Sequence, residues 1–472
     1  MATTPSEPPA PLPRRDPRYE DTLKKLFVLK RFGVKLDLQA PRQALAQLGD
    51  PQRAYPSIHL GGTNGKGSTA AMVAEILQRG GHRVGLFTSP HLNRFTERIR
   101  INGEEIHETD VVELFDEVSR LDPDLTFFER TALMAFTHFA RNKVDVAVVE
   151  VGLGGRLDVT NLVRPVATGI LQIGADHTAY LGREISRIAW EKAGILRPGV
   201  PLAMAPGESP TAQEVLRRMA KVRGAPVHEH GKDFQLSPVG PVAAPSSPME
   251  FHGPGGPLKV PGVGLMGAHQ HQNAAVALTL TGLLPAPLQV SPEARIGGVS
   301  EVRWPGRGEL LRDAKGKRVL LDAGHNPDGV RALSRLVGEI PHENLHVVVG
   351  AMGDKDLEAT LSPLVGIADS VVVTQAAYYR ACGAEELRKR VLPLTKKAEV
   401  LSQTPTRAAI EVALQRAKKD DLVVISGSVF LLGEARGALL EEGSDPFQVT
   451  DPVYQPPRPR SQEPSPPKDR AS

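Results

Sequence analysis

An α/β fold in two units is what this sequence predicts, and three observations predict it. Short, nearly unbroken apolar runs, such as that over 144–149, read as strands of a parallel sheet buried on both faces. They alternate with helical patterns, which is the signature of βαβ units. The alternation then starts afresh beyond a composition change over 297–303, so a larger unit, 18–299, precedes a smaller one, 300–443. With 472 residues the chain exceeds what one ordinary core holds together. The proline-rich ends, 1–17 and 444–472, read as disordered. A Pro456-Pro457-Arg458-Pro459 stretch in the second could meet a proline-reading module, though a solvated tail is the plainer reading.

Composition narrows the function class. Hydrophobic residues at 40% and charged residues at 24% fit a globular protein. A formal charge of +3 is too small to argue for nucleic acid or an anionic membrane. Cys382 is the sole cysteine, so no intrachain disulfide forms, which suits a reducing compartment. No apolar run reaches membrane-spanning length and the first residues lack a signal-peptide core. A cytoplasmic monomer acting on small molecules is the expectation.

The N-terminal unit is organised around His59-Leu60-Gly61-Gly62-Thr63-Asn64-Gly65-Lys66-Gly67-Ser68-Thr69. A short apolar strand feeds a glycine-dense turn, and a helical pattern follows (Ala70, Ala71, Val73, Ala74, Ile76, Leu77). The glycines let successive N–H groups point inward, a nest for phosphate oxygens at the positive end of a helix. Lys66 is placed to reach the outer phosphates, and Ser68 or Thr69 to hold Mg²⁺. The loop is a variant of G-x-x-x-x-G-K-[ST], with Leu60 at the first glycine position and Gly67 after the lysine.

The other elements follow in order. Residues 18–48 read as helical, with Leu23, Leu26, Phe27 and Leu29 toward the core. A strand over 84–87 ends in Thr88-Ser89-Pro90-His91. Residues just past parallel strand ends share one crevice, which brings Ser89 toward the phosphate loop. A helix over 110–121 takes Asp110 as its N-cap, and Thr126-Phe127-Phe128-Glu129 opens a helix over 130–140. The strand over 144–149 ends at Glu150, where a carboxylate opposite a phosphate loop would hold Mg²⁺; a solvated strand end is the blander reading. A strand over 168–173 leads to Asp176-His177, beside Glu150 and Ser89 by the same strand-end argument. The helix over 184–193 stops at Gly194, and Lys192 reads as a cation favoured at a helix end. A helix over 211–222 precedes strands and loops over 225–266. The G-x-G-x-x-G match at 262–267 lacks a preceding strand and a later acidic residue, so it reads as a turn. A helix over 270–280 carries Asn273, while His269 and His271 alternate and do not share a helix face.

In the second unit, strands over 319–321, 345–349, 370–374 and 422–425 alternate with helices from 328, from 357 and over 406–417. Asp322-Ala323-Gly324-His325-Asn326-Pro327 follows the first strand and places polar groups toward the first unit.

Together, these motifs resemble the folylpolyglutamate synthase/dihydrofolate synthase family, within the Mur-ligase group of ATP-dependent amide-forming enzymes. The resemblance runs from about Tyr19 to Leu440 and rests on combined segments. They are 62–68, Thr88-Ser89-Pro90-His91, Phe95-x-Glu97-Arg98-Ile99, Glu150 through Asn161, Asp176-His177-x-x-x-Leu181-Gly182, Glu191-Lys192-Ala193-Gly194-Ile195, His269-Gln270-x-x-Asn273-Ala274, Trp304-Pro305-Gly306-Arg307 and Gly427-Ser428. The resemblance implies an N-terminal P-loop-type Mur ligase ATPase domain and a smaller C-terminal Rossmann-like α/β domain, with catalysis between them. It implies that Thr63, Asn64, Gly65, Lys66, Gly67 and Ser68 hold the triphosphate, and that Asn273, Arg307, Asp322 and His325 face the nucleotide. Ser89, Glu150 and His177 would bind Mg²⁺, with K⁺ a further cation that the family allows. Lys192 would be carbamylated, an anion assisting the metal, which displaces the helix-end reading. Lys66, Lys192, His177, Glu150, Asp322 and His325 are then the catalytic set. Thr126, Phe128, Arg156 and Asp158 would lie near the pterin-bearing substrate. One departure is visible: Ala323-Gly324 stands where the family has Gly-Ala, with the Asp-to-His spacing unchanged.

The implied activity is ATP-dependent ligation of L-glutamate to dihydropteroate, to reduced folates, or to both, through an acyl phosphate. A Mur-type ligase acting on a UDP-muramyl peptide is the nearest alternative; Phe127-Phe128-Glu129 and Leu157-Asp158-x-Thr160-Asn161 argue against it. A nucleotide-binding regulator with a dead site is another, and it would be expected to lose Lys66, Glu150, His177 or Lys192, all of which are present.

Overall fold

Every residue of the strand Ser57–Gly61 is buried, as an apolar run covered on both faces must be. It lies parallel between Val146–Glu150 and Pro165–Ile170. Val84–Phe87 extends one side in parallel, and Leu202–Met204 then Val227–Glu229 extend the other. Ile99–Ile101 and Glu104–Glu105 add an antiparallel margin, which completes an eight-stranded sheet among the described residues. The structure, a computed structural model, describes residues 16–29, 37–121, 124–239, 247–353, 356–378, 380–441 and 445. The expected disordered ends, 1–17 and 444–472, fall almost wholly outside them.

Alternation along the strands assigns the layers. Val146 and Val148 pack with Ile58, Leu60 and the helix Lys66–Arg79 on one face. Ala147 and Val149 turn to the other, against Phe127–Arg141. Because the central strands are parallel, Gly61, Phe87, Glu150 and Ile170 all end at the same edge, and the loops that follow them share one rim. Gln235–Pro238, Met249–His252 and Leu258–Val260 form a small antiparallel sheet in the stretch read as strands and loops. Among the described residues the second unit holds a six-stranded sheet. Arg318–Leu321, Leu422–Ser426, Leu345–Val349, Ser370–Val373 and Glu399–Ser402 lie parallel in that order, with Glu309–Arg312 antiparallel at the margin.

Several element boundaries differ from the sequence reading. The 18–48 stretch is two helices, Tyr19–Val28 and Gln39–Gln47, with 30–36 outside the described residues. The helix expected from Asp110 starts at Glu108 after His107, leaving Asp110 in the first turn, where its charge suits the helix dipole. Thr126 is the N-cap of Phe127–Arg141, so that helix begins three residues before 130. Pro210 opens Pro210–Arg223, as proline at the first helical position does. Strands shift similarly: 144–149 becomes Val146–Glu150, and 168–173 becomes Pro165–Ile170. Gly194 does not stop a helix with a left-handed residue. It sits inside the 3₁₀ turn Ala193–Ile195, and a Cβ there would lie 2.3 Å from Arg156 Cα. The helix carrying Asn273 is longer than read, Ala268–Gly282. The composition change over 297–303 begins within the helix Pro292–Glu301, whose Gly298 packs on Ile76.

At the sheet edge away from the strand ends just described, Asp421 closes the second unit. Its carboxylate accepts from Lys418 N–H at 2.7 Å and from the backbone and side-chain nitrogens of Asn344 at 3.1 and 2.9 Å. It also lies 3.2 Å from His346 Nε2. Burial alone would raise its pKa, but these bonds outweigh burial and hold it at about 2. A depressed carboxylate adds stability above its unfolded pKa, and that stability is lost as pH falls through the folded value. Asp421→Ala should therefore lower the urea-unfolding free energy by about 3 kcal/mol near neutral pH, since three donors lose a charged acceptor that is itself buried. The gap from wild type should close as pH falls from about 4 to about 2.

Candidate active site

The phosphate loop takes its shape from two glycines. Gly65 caps Lys66–Arg79 at φ +89°, and a Cβ there would lie 2.4 Å from Asn273 Oδ1. Gly62 stands at φ +139° against Leu171. Thr63 laces the loop to the next strand end: its N–H donates to Gln172 O at 2.7 Å and its hydroxyl donates to Gly174 O at 3.0 Å. Lys66 Nζ donates to Thr63 O at 3.1 Å and lies 3.8 Å from Glu150 Oε1. Glu150 is buried, and its Oε2 accepts the Ser89 N–H at 3.0 Å. Lys66, Glu150 and Ser89, widely separated in sequence, thus form one cluster. Gly67 adjoins it: a Cβ there would lie 3.6 Å from Glu150 Oε2 and 3.3 Å from Trp304 Nε1. The Ser68 hydroxyl takes a bond from Gln270 Nε2 at 3.3 Å, and Gln270 in turn accepts from Asn273 at 2.9 Å.

The buried Glu150 carboxylate and the hydroxyl that Ser89 carries are hard oxygen donors, which fit Mg²⁺ better than a softer ion. His177 is placed differently. It is exposed at a left-handed φ of +51°, caps the short helix Thr178–Leu181 and donates its N–H to Asp176 Oδ1 at 2.8 Å. Among the described residues no three His, Cys, Asp or Glu side chains cluster as a metal site.

Lys192 is buried and donates from Nζ to Gly62 O at 2.8 Å. Burial first, and then the Lys66 charge, push its pKa down to about 7, with Asp176 and Asp158 pulling the other way. It lies on the underside of the phosphate loop, a position the helix-end reading did not foresee.

The residues expected near the second substrate divide by task. Thr126 and Glu129 form a reciprocal capping box: Glu129 N–H donates to Thr126 Oγ1 at 3.3 Å, and Thr126 N–H to Glu129 Oε2 at 2.7 Å. Asp158 is buried and accepts from Leu153 and Thr160 N–H at 2.8 and 2.9 Å; burial still pushes its carboxyl up. Arg156 grips Glu191 with two bonds, at 3.1 and 3.0 Å, and stacks 4.8 Å from the Trp190 ring centre. Phe128 packs on Gly152, where a Cβ would lie 2.3 Å from its ring. Gly152→Ala should therefore displace Phe128, raising the acceptor KM about tenfold while ADP affinity stays within twofold. Steady-state kinetics with parallel ADP calorimetry checks this.

Across the cleft, Asp322 accepts from Gly308 N–H and Gly324 N–H, both at 2.9 Å. The Ala323-Gly324 order is accommodated, because Ala323 is buried and its N–H donates to Gly306 O at 2.9 Å. His325 holds Nδ1 against Ala323 O at 2.8 Å and points Nε2 at Asp176 Oδ2, 3.5 Å away. Arg307 is half-buried. His269 has a pKa lowered chiefly by burial, with Asp322 and Arg307 acting on it in opposite senses. Residue-by-residue reading placed Asp176 at this rim but missed Gln270, Glu191, Trp304 and Asn326 as parts of the site. Asn326 alone gave a signal, an N-cap residue before proline, and it does cap Pro327–Glu339.

Comparison with known proteins gives the family and the fold. Residues 60–281 match the Mur ligase middle domain, and 306–429 match the Mur ligase glutamate ligase domain. A dihydrofolate synthase/folylpolyglutamate synthase of Bacillus subtilis is 33% identical over 438 residues, covering 89% of this chain and 99% of that one. A probable bifunctional folylpolyglutamate synthase/dihydropteroate synthase of Haloferax volcanii is 34% identical over 429 residues; this chain spans 50% of its length. The crystal structure of a bifunctional folylpolyglutamate synthase/dihydrofolate synthase from Yersinia pestis, complexed with AMPPNP and Mn ion, superposes with a TM-score of 0.77 at 29% identity, covering 89% of this chain and 98% of that one. On motifs, fold and relatives alike, the chain belongs to the folylpolyglutamate synthase/dihydrofolate synthase family of Mur ligases.

Proposed function

We propose that this protein uses ATP to join L-glutamate to dihydropteroate, forming dihydrofolate, and to reduced folates, extending their glutamate chain. The observation that carries the reading is the Lys66–Glu150–Ser89 cluster at the phosphate loop, with Asp322 and His325 of the second unit across the cleft. The Yersinia pestis relative holds a nucleotide and a divalent metal, which is what this set of residues suits.

The chemistry explains the parts. A carboxylate is a poor acyl donor, because its leaving group would be oxide. Transfer of the γ-phosphoryl group from ATP makes an acyl phosphate, and the glutamate amine then attacks the acyl carbon and expels phosphate. The N–H groups of 63–68 and the Lys66 ammonium neutralise charge on the transferring phosphoryl group. Ser89, Glu150 and His177 are the residues that would hold Mg²⁺, which would supply neutralising charge to the nucleotide phosphates. Carbamylated Lys192 adds negative charge beneath the loop. Asn273, Arg307 and Asp322 take the rest of the nucleotide, and Phe128, on its glycine seat, offers an aromatic face to the pterin, within the loops shaped by Thr126, Arg156 and Asp158. Closure of the two units excludes water that would hydrolyse the acyl phosphate.

In this reading 18–299 is the nucleotide-binding unit and 300–443 the ligase unit, except that the helix Pro292–Glu301 packs on Lys66–Arg79 and so carries the first unit through Glu301. We take the protein to work as a monomer in the cytoplasm; no helix among the described residues is long and apolar enough to cross a membrane. The test is incubation of the purified protein with ATP, Mg²⁺, L-glutamate and each acceptor, followed by mass measurement of products. Glutamyl adducts on both acceptors are expected; an adduct on neither removes the proposal.

A further inference from the structure

The two units touch at the phosphate loop through a lattice of polar side chains. Asn64 and Asn326 pair their amides reciprocally: Asn326 Nδ2 donates to Asn64 Oδ1 at 2.9 Å, and Asn64 Nδ2 to Asn326 Oδ1 at 3.3 Å. Asn326 Nδ2 also reaches Asp176 Oδ2 at 3.4 Å, the same oxygen that faces His325 Nε2 at 3.5 Å. Asn326 is 3% exposed and Asp176 8%. On its other side, Asn326 Oδ1 accepts Gly329 N–H at 2.9 Å and starts the helix Pro327–Glu339. Alongside, Gly174 packs closely on Asp328.

Two features make this more than a cap. Asn64 lies between Thr63, which is laced to the neighbouring strand end, and Gly65, which starts the phosphate helix, so whatever orients its side chain is coupled to the anion nest. Asn326 is buried and Asn64 half-buried, so parting them costs each amide a hydrogen bond that the interface itself does not replace. The pair therefore exists only with the units together, and separating them returns both amides to water.

We propose that Asn326 is a positioning residue whose amide latches the ligase unit onto Asn64 of the phosphate loop, keeping water out while the acyl phosphate waits for glutamate. The proposal rests on the ligase activity above. When the latch is loose, a water oxygen bonds to the acyl carbon and the carbon–oxygen bond to phosphate breaks. The acceptor carboxylate and inorganic phosphate are regenerated, and the ATP is spent without an amide. The signature is ADP in excess of glutamylated product.

The experiment measures both products in one reaction at limiting glutamate. Wild type should release one ADP per amide bond. Asn326→Ser keeps a capping oxygen for Gly329 N–H but lacks the amide. It should raise the ADP-to-product ratio severalfold and the glutamate KM about tenfold, the scale of one net buried hydrogen bond. Asn64→Ser should do the same, and the double variant should be no worse than either single one, as expected for partners in one contact. Thermal midpoints verify folding, and if Asn326→Ser unfolds, Asn64→Ser carries the same expectation from outside that helix. A ratio that stays at one, or effects that simply add, overturns the latch. No ADP release dependent on acceptor and glutamate in wild type would instead overturn the ligase reading itself.

Discussion

Lys192→Ala should abolish turnover, with kcat falling roughly a thousandfold or more, while the fold survives. The expectation comes from where the amine sits: buried, bonded to Gly62 O, and held at a pKa of about 7 by burial and by Lys66. Only a neutral amine attacks carbon dioxide. At pH 7 about half of such a lysine is neutral, against about one in three thousand for an ordinary one. The same shift sets the direction with pH. Reloading a decarbamylated sample with bicarbonate should be fast at pH 8 and slow at pH 6, because the reactive form is lost as pH falls through about 7. A short carboxylic acid should partly restore Lys192→Ala by supplying an anion in the vacated space, and native mass spectrometry should show one added carbon dioxide on wild type alone. Full activity in the alanine variant would show the carbamate to be unnecessary.

Glu150→Gln should be nearly as damaging, lowering kcat about a hundredfold to a thousandfold. Glu150 ends a central strand with its carboxylate buried between the Ser89 N–H and Lys66 Nζ. The amide keeps an oxygen for Ser89 but removes the charge, leaving Lys66 beside a neutral group and the metal without its anionic ligand. The concentration of Mn²⁺ giving half-maximal rate should rise about tenfold or more, whereas ADP binding without metal should change little. An unchanged metal titration would place the cation elsewhere.

How legible this was depended on the range of the interaction. Apolar runs and glycine turns are local, so Ser57–Gly61, Val146–Glu150 and the phosphate loop could be read directly, and parallel topology then brought Ser89 and Glu150 together. Helix starts were read less well. Asp110 is a good cap by type, yet the helix begins at Glu108. Lys192 read as a helix-end cation from physics alone, because its burial under Gly62 comes from a distant strand end; family resemblance was needed to give it a role. Arg156 was named for the substrate side, but its grip on Glu191 across 35 positions was not visible. Asn326 stands before a proline, as a cap does, and was not read as one; its pairing with Asn64 required two separately folded units to meet.

The proposed ligation depends most on the phosphate loop, Ser89 and Glu150 acting as one Mg²⁺–nucleotide site. Its most direct test is a crystal structure with AMPPNP and Mn²⁺, the metal located by anomalous scattering. The account predicts a peak about 2.1 Å from Ser89 Oγ and a Glu150 carboxylate oxygen, with the γ-phosphate on the 65–68 amides and Lys66. A nucleotide bound away from that loop, or a metal peak that Glu150 does not touch, would contradict it.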